Sequence, residues 1–136
     1  TEQFNLIRHN TIAIPGHFPA TVVAGTTIAF MGFTYILIPL IFRREVILKG
    51  FASIQPYLYG IGVAMLSIGM MAAGSFGVPR RHYDITFAGA DFSFSFAPVI
   101  DSFLTIMGIG GVLAAIGGII YIVVALGSIF GGKKIE

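Results

Sequence analysis

An all-α integral membrane fold with three transmembrane helices is what this sequence predicts, and three observations predict it. Of its 136 residues, 56% are apolar and only 10% are charged, whereas a soluble domain carries about 25% charge to keep its surface wet. The mean hydropathy is +0.91. The eight basic and six acidic residues are clumped and leave three uncharged runs, His9 to Phe42, Gly50 to Pro79 and Ser102 to Gly132. Each run exceeds the roughly 20 residues that carry a helix across the hydrocarbon core of a bilayer.

The chain reads as a single membrane domain over 1–136, with spans at about 19–42, 56–76 and 98–130. Pro15, Gly16 and Pro19 lie at the start of the first span, where the leading N–H groups of a helix have no internal partner and proline is tolerated. Pro39 falls in its last turn and can kink it, and Arg43-Arg44-Glu45 ends it. After a short connection, Pro56 opens the second span, which stops at Gly77-Val78-Pro79. The third span begins near Pro98 and ends in Gly131-Gly132-Lys133-Lys134. At 1.5 Å per residue it is about 50 Å long, so it tilts or projects beyond the bilayer. Between the second and third spans, Phe92-Ser93-Phe94-Ser95-Phe96 alternates strictly. That period fits an extended interfacial segment with one aromatic face against headgroups or a neighbouring subunit.

Loop charge sets the orientation. Arg43, Arg44, Lys49, Lys133 and Lys134 share one side of a three-span topology, and Arg8, Arg80 and Arg81 share the other with Asp84, Asp91 and Asp101. The side richer in basic residues faces inward, so the N-terminus lies outside and the C-terminus inside. The basic residues flank apolar runs and do not form a nucleic-acid footprint. The chain has no cysteine, which excludes disulfides and thiolate metal sites. The opening residues Thr1-Glu2-Gln3-Phe4 lack the basic region of a secretory signal and read as a processed or trimmed end.

Glycine is abundant, with 18 residues. Gly108, Gly110, Gly111, Ala114, Ala115, Gly117 and Gly118 give the third helix small faces, and Gly127 and Gly131 form a GxxxG pair. Small residues let backbones approach closely in lipid, where no hydrophobic force drives helices together. These faces serve either packing among the three helices or docking into a larger helical bundle, and so few spans favour docking.

Two features carry chemistry. His17 sits close to a long apolar helix with no acidic residue nearby in sequence. A polar side chain at that depth normally faces a protein interior or a cavity, where a neutral imidazole can ligate a metal, hydrogen-bond a neighbouring helix or relay protons. Arg80-Arg81 either marks the edge of a span or clamps an anionic group with its guanidinium forks. By the topology above, Arg8, His9 and Asn10 lie on the same outer side and can converge with the arginines on one anionic ligand. His82 and Tyr83 are expected at the interface without a role. No phosphate-binding glycine loop, hydrolase triad order or metalloprotease pattern is present.

The run His9-Asn10-Thr11-Ile12-Ala13-Ile14-Pro15-Gly16-His17-Phe18, a span, a short loop, a second span and then Gly77-Val78-Pro79-Arg80-Arg81-His82-Tyr83 resembles the last transmembrane helices of the catalytic subunit of haem-copper oxygen reductases. The wording is most similar to the divergent branch that includes archaeal and thermophilic-bacterial oxidases. The resemblance covers nearly the whole chain but only about a quarter of the usual subunit.

It implies that His17 is the axial ligand of the high-spin haem, on the side where copper and haem reduce O2 in a respiratory chain. It implies that His9 and Asn10 lie near the haem propionates at the outer edge and that Arg80 and Arg81 hold them. The family places this arginine pair outside, in agreement with the charge count. One departure is serious, because the family's second histidine, the ligand of the low-spin haem, is Pro19 here and has no donor for iron. The low-spin haem is then ligated differently or absent, or part of the electron path is lost. Copper ligands belong to helices beyond this chain, so the resemblance implies other membrane subunits that complete a split oxidase in a prokaryotic cell membrane. The chain is then an enzyme only as part of that assembly. The alternatives are a degenerate, structural oxidase-like subunit of an energy-converting complex and an unrelated small membrane protein.

Overall fold

The computed structural model describes residues 2–82, 84–87, 89, 91 and 95–135. Among them every regular element is helical, and extended pairing is confined to two isolated antiparallel bridges, Thr11 with Pro79 and Arg44 with Lys134. Three helices are long and apolar enough to span a membrane, Ala13–Phe42, Lys49–Ser75 and Val99–Gly131.

A short helix, α1 (Glu2–Arg8), leads through a turn into the first spanning helix. That helix has three parts, α2 (Ala13–Phe18), a π-helical segment (Pro19–Thr27) and α3 (Ile28–Phe42). It begins six residues before Pro19, earlier than the sequence suggested. Pro15 falls in its first turn, where the missing N–H has no partner to lose. Pro19 lies deeper, and its ring and absent N–H forbid the usual bond to the carbonyl four residues back. The backbone there adopts the wider π register, a form concentrated at functional sites. Pro39 lies inside α3, which continues to Phe42 and ends at Arg43 in the left-handed region, φ 47°.

The second spanning helix, α4 (Lys49–Ser75), starts seven residues ahead of Pro56. Leu48, with φ 50°, turns the chain sharply enough for the helix to begin at once. The third, α5 (Val99–Gly131), runs within one residue of its expected limits.

Helices α4 and α5 pack antiparallel through their small residues. A Cβ added at Gly69 would lie 2.8 Å from the backbone nitrogen of Met107, and one at Gly117 would lie 2.9 Å from Cα of Tyr59. Gly62 and Gly110 meet the opposing backbone at Ala114 and Leu66 in the same way. α2 docks on the other face of α4, with Gly16 against Met70 and Met71 and Ala13 against Gly74. The small face of α5 is thus divided. Gly110 and Gly117 are buried against α4, whereas no described atom comes within 4 Å of a Cβ built at Gly108, Gly118 or Gly131. Gly127 meets the side chain of Ile47, so the Gly127/Gly131 pair joins no two helices among the described residues.

Several polar side chains inside the spans find one another, whereas the buried hydroxyl of Ser67 has no partner among the described residues. The Tyr35 hydroxyl donates to Oε1 of Gln55 at 3.2 Å, Gln55 Nε2 lies 3.2 Å from the Met31 sulfur, and the Tyr121 hydroxyl donates to Thr34 Oγ1 at 3.0 Å. Gln55 is fully buried. At the N-terminal end of the spanning helix, Ala73, Val78 and Ile100 form an apolar cluster covered by Ile12, Ile85, Phe96 and Phe103. Phe96 therefore packs inward on this chain, where the alternating run suggested an outward aromatic edge. Phe92, Ser93 and Phe94 lie outside the described residues, as does Tyr83.

Candidate functional site

The turn after α1 and the turn after α4 meet above that apolar cluster. The Ile12 N–H donates to the Val78 carbonyl at 3.0 Å, and the Arg80 N–H donates to the Asn10 carbonyl at 3.0 Å. The side chains repeat the link, with Arg80 Nη2 donating to Asn10 Oδ1 at 3.2 Å. Two residues take left-handed backbone to make this junction, Asn10 at φ 60° and Arg81 at φ 64°. Asparagine tolerates that region better than most residues. The junction brings two sequence-predicted residues, Asn10 and Arg80, into direct contact.

Arg81 and His9 are exposed at the same end. No hydrogen bond ties either side chain down among the described residues. His82 is also exposed and turns its ring edge to Phe87 at 5.1 Å. The end thus presents a guanidinium fixed by Asn10 beside a second that is unengaged. This pair of planar donors suits a carboxylate or phosphate.

Thr11 is the residue that sequence reasoning passed over. It is buried, its Oγ1 donates to the Arg8 carbonyl at 2.8 Å, and the same oxygen accepts the Ala13 N–H at 3.3 Å. It therefore joins α1 to the start of α2 and holds Asn10 in place. The cap position of α2 is Ile12, without a side-chain cap bond, so Thr11 acts one residue earlier, its hydroxyl closing a local turn onto the Ala13 N–H as threonine does ahead of helices.

His17 lies in the last turn of α2. Its neighbour Gly16 is buried against α4, whereas the His17 side chain is exposed and points away from the three-helix core. No hydrogen bond to its imidazole exists among the described residues. Thr21 Oγ1 donates to the carbonyls of His17 and Phe18, both at 3.2 Å, and so stays on the backbone side of the ring. Six residues of helix separate Thr11 from His17, roughly 9 Å along the axis. No described group gathers three or more histidine, cysteine or acidic side chains, so a metal at His17 would draw its other ligands from outside this chain. An imidazole with no hydrogen bond among the described residues can ligate a metal, and the two guanidinium groups at that helix's end, one held by Asn10, can bind an anionic group.

Residues 1–113 match the family model described as cytochrome c and quinol oxidase polypeptide I. The chain is 31% identical to cytochrome c oxidase subunit 1 of Thermus thermophilus over 77 residues, which are 55% of this chain and 14% of that protein. A solved haem-copper terminal oxidase dimer superposes on 100% of this chain and 23% of its own, with a TM-score of 0.82 and 31% sequence identity. The chain thus spans less than a quarter of the length of these relatives.

Proposed function

Because the chain belongs to the cytochrome c and quinol oxidase polypeptide I family, and is an integral membrane portion of a haem-copper terminal oxidase subunit I, we propose that it lends one haem ligand and the propionate clamp to an oxygen-reducing centre. In this reading His17 would hold the iron of the high-spin haem. The observation that carries it is the exposed, unpartnered imidazole, since a polar group at that depth demands a partner. Arg80 and Arg81 hold the propionates, with Asn10 fixing Arg80 and His9 at the same edge. When bound, haem and copper supply the redox chemistry of O2 reduction. This chain orients the haem, sets the charge at its rim and keeps its ligand side apolar.

Copper ligands and the remaining helices of the oxidase lie outside these 136 residues. Pro19 cannot serve the low-spin haem, so that haem takes no ligand from this helix. The arginine end faces outward and the lysine-rich end inward, as the loop charges favour, in a prokaryotic cell membrane. Pro19 also favours a second reading, in which the chain keeps the helix packing of an oxidase but serves only as a structural subunit. An optical spectrum of the purified complex separates the two. A high-spin haem signal lost in His17→Ala, with the complex still assembled, is the expected result. A spectrum that His17→Ala leaves intact removes the ligand assignment and leaves the structural reading.

A further inference from the structure

At the end opposite the arginine pair, the α3–α4 connection and the C-terminal tail pair with each other. The Glu45 N–H donates to the Lys133 carbonyl at 2.9 Å, the Ile135 N–H donates to the Arg43 carbonyl at 2.8 Å, and Arg44 bridges to Lys134. Arg44 spends its guanidinium on the tail, with Nη1 donating to the carbonyls of Phe130 at 3.1 Å and Gly132 at 2.9 Å. The Ile47 N–H donates to Ser128 Oγ, which fixes the connection on α5. This ladder holds Arg43, Lys133 and Lys134 at the end of the bundle where Lys49 opens α4, and all four are exposed. Among the described residues Glu45 is the exposed acid of this end and none of the four cations forms an ion pair; Glu136 lies outside the described residues.

At the same end an open groove of about 200 Å³ runs between the start of α4 and α5, lined by Leu48, Phe51, Ile119, Ile120, Val123 and Val124. Leu48 adjoins Lys49 directly, so the groove begins at the end of the bundle that carries the cations. Its walls are apolar along about two turns of α5, and Phe51 and Ile119 stand 56% and 61% exposed. Four cations at the end of an apolar trough match a molecule with an anionic head and a hydrocarbon tail. Basic residues at a membrane surface attract anionic lipid in this way.

We propose that this end of the chain is a binding site for one anionic phospholipid, its phosphate held among Arg43, Lys49, Lys133 and Lys134 and one acyl chain laid in the Leu48–Val123 groove. The site requires only that the chain lie in a bilayer, and it stands apart from the haem reading. A covering protein helix would fill the groove but leave the excess of basic over acidic residues at this end unmatched, whereas an anionic lipid meets both.

The test uses the intact oxidase complex containing this chain, stripped of lipid in detergent and titrated with dioleoylphosphatidylglycerol, with dioleoylphosphatidylcholine and glycerol phosphate as comparisons. Retained molecules are counted by native mass spectrometry. The expected result is one phosphatidylglycerol held through delipidation, with phosphatidylcholine and glycerol phosphate both bound far more weakly. The double variant Lys49→Gln, Lys134→Gln should weaken it by about fivefold per charge removed, and Val123→Phe should displace it while the complex stays whole. Equal retention of the two lipids, or phosphatidylglycerol binding that ignores the double variant, overturns the proposal. So does a Val123→Phe complex that sheds this chain, because a helix and not a lipid then fills the trough. The lipid comparison on the unaltered complex decides the matter even where a variant fails to assemble.

Discussion

Arg80 and Arg81 are adjacent in sequence yet held differently. Asn10 engages Arg80 through both backbone and side chain, whereas Arg81 is exposed with left-handed backbone. A cation beside a haem carboxylate favours the reduced, more electron-rich haem, because Coulomb attraction is strong where water is scarce. Arg81→Gln should therefore lower the haem midpoint potential, by on the order of 59 mV if the reduced state loses tenfold in relative stability. Arg80→Gln should lower it as well and also loosen the turn after α1. Redox titration of the purified complex checks both, and an unchanged potential would count against the clamp. The residue types for this chemistry were legible, since histidine and paired arginines at the margin of apolar runs stand out. The topology already put Asn10 and Arg80 at one end, but their direct hydrogen bond was not legible, because 70 residues separate them and only the folded turns close that gap. Thr11 shows the same limit in reverse, as an ordinary turn-forming threonine whose position at the junction only the fold discloses.

At the scale of elements, proline marks helix beginnings poorly in this chain. Pro15, Pro19 and Pro56 all lie inside helices. In a membrane, leaving the helix exposes many unpaired backbone groups to lipid, whereas a single proline removes one bond. Continuing the helix is the cheaper course. The lower half of the first helix is tied to its neighbours by polar contacts, with Tyr35 on Gln55 and Thr34 accepting from Tyr121. The Tyr35 and Tyr121 rings also meet at 5.8 Å. Gln55→Leu leaves the Tyr35 hydroxyl without its acceptor and should destabilise the folded chain by about 0.6–1.7 kcal/mol, the range for hydrogen bonds within membranes. An SDS-unfolding titration of the purified complex measures it, and no change would mean that apolar packing alone positions α3.

Across the whole molecule, three helices leave most of their apolar surface uncovered. Phe30, Leu40, Val112 and Phe130 are between 60% and 77% exposed. α5 keeps an open stripe of Gly108, Ala115 and Gly118 opposite the face that α4 uses. A further helix fits there without a clash, as expected of a chain that spans 23% of its structural relative. Gly118→Leu has room within this chain, so the three helices should still fold. Recovery of assembled oxidase should nevertheless fall by about tenfold, the effect of roughly 1.4 kcal/mol of lost contact. Undiminished recovery would assign that stripe to lipid. The sequence by itself determined the number of spans and their membrane setting. It did so because bilayer thickness and the cost of buried charge act on composition and spacing alone. The tertiary structure decided where each helix begins, which small residues face α4, and that Asn10 meets Arg80 while His17 faces away from its own bundle. Those outcomes depend on which backbones approach each other, and contact between distant segments leaves no periodic trace along a chain.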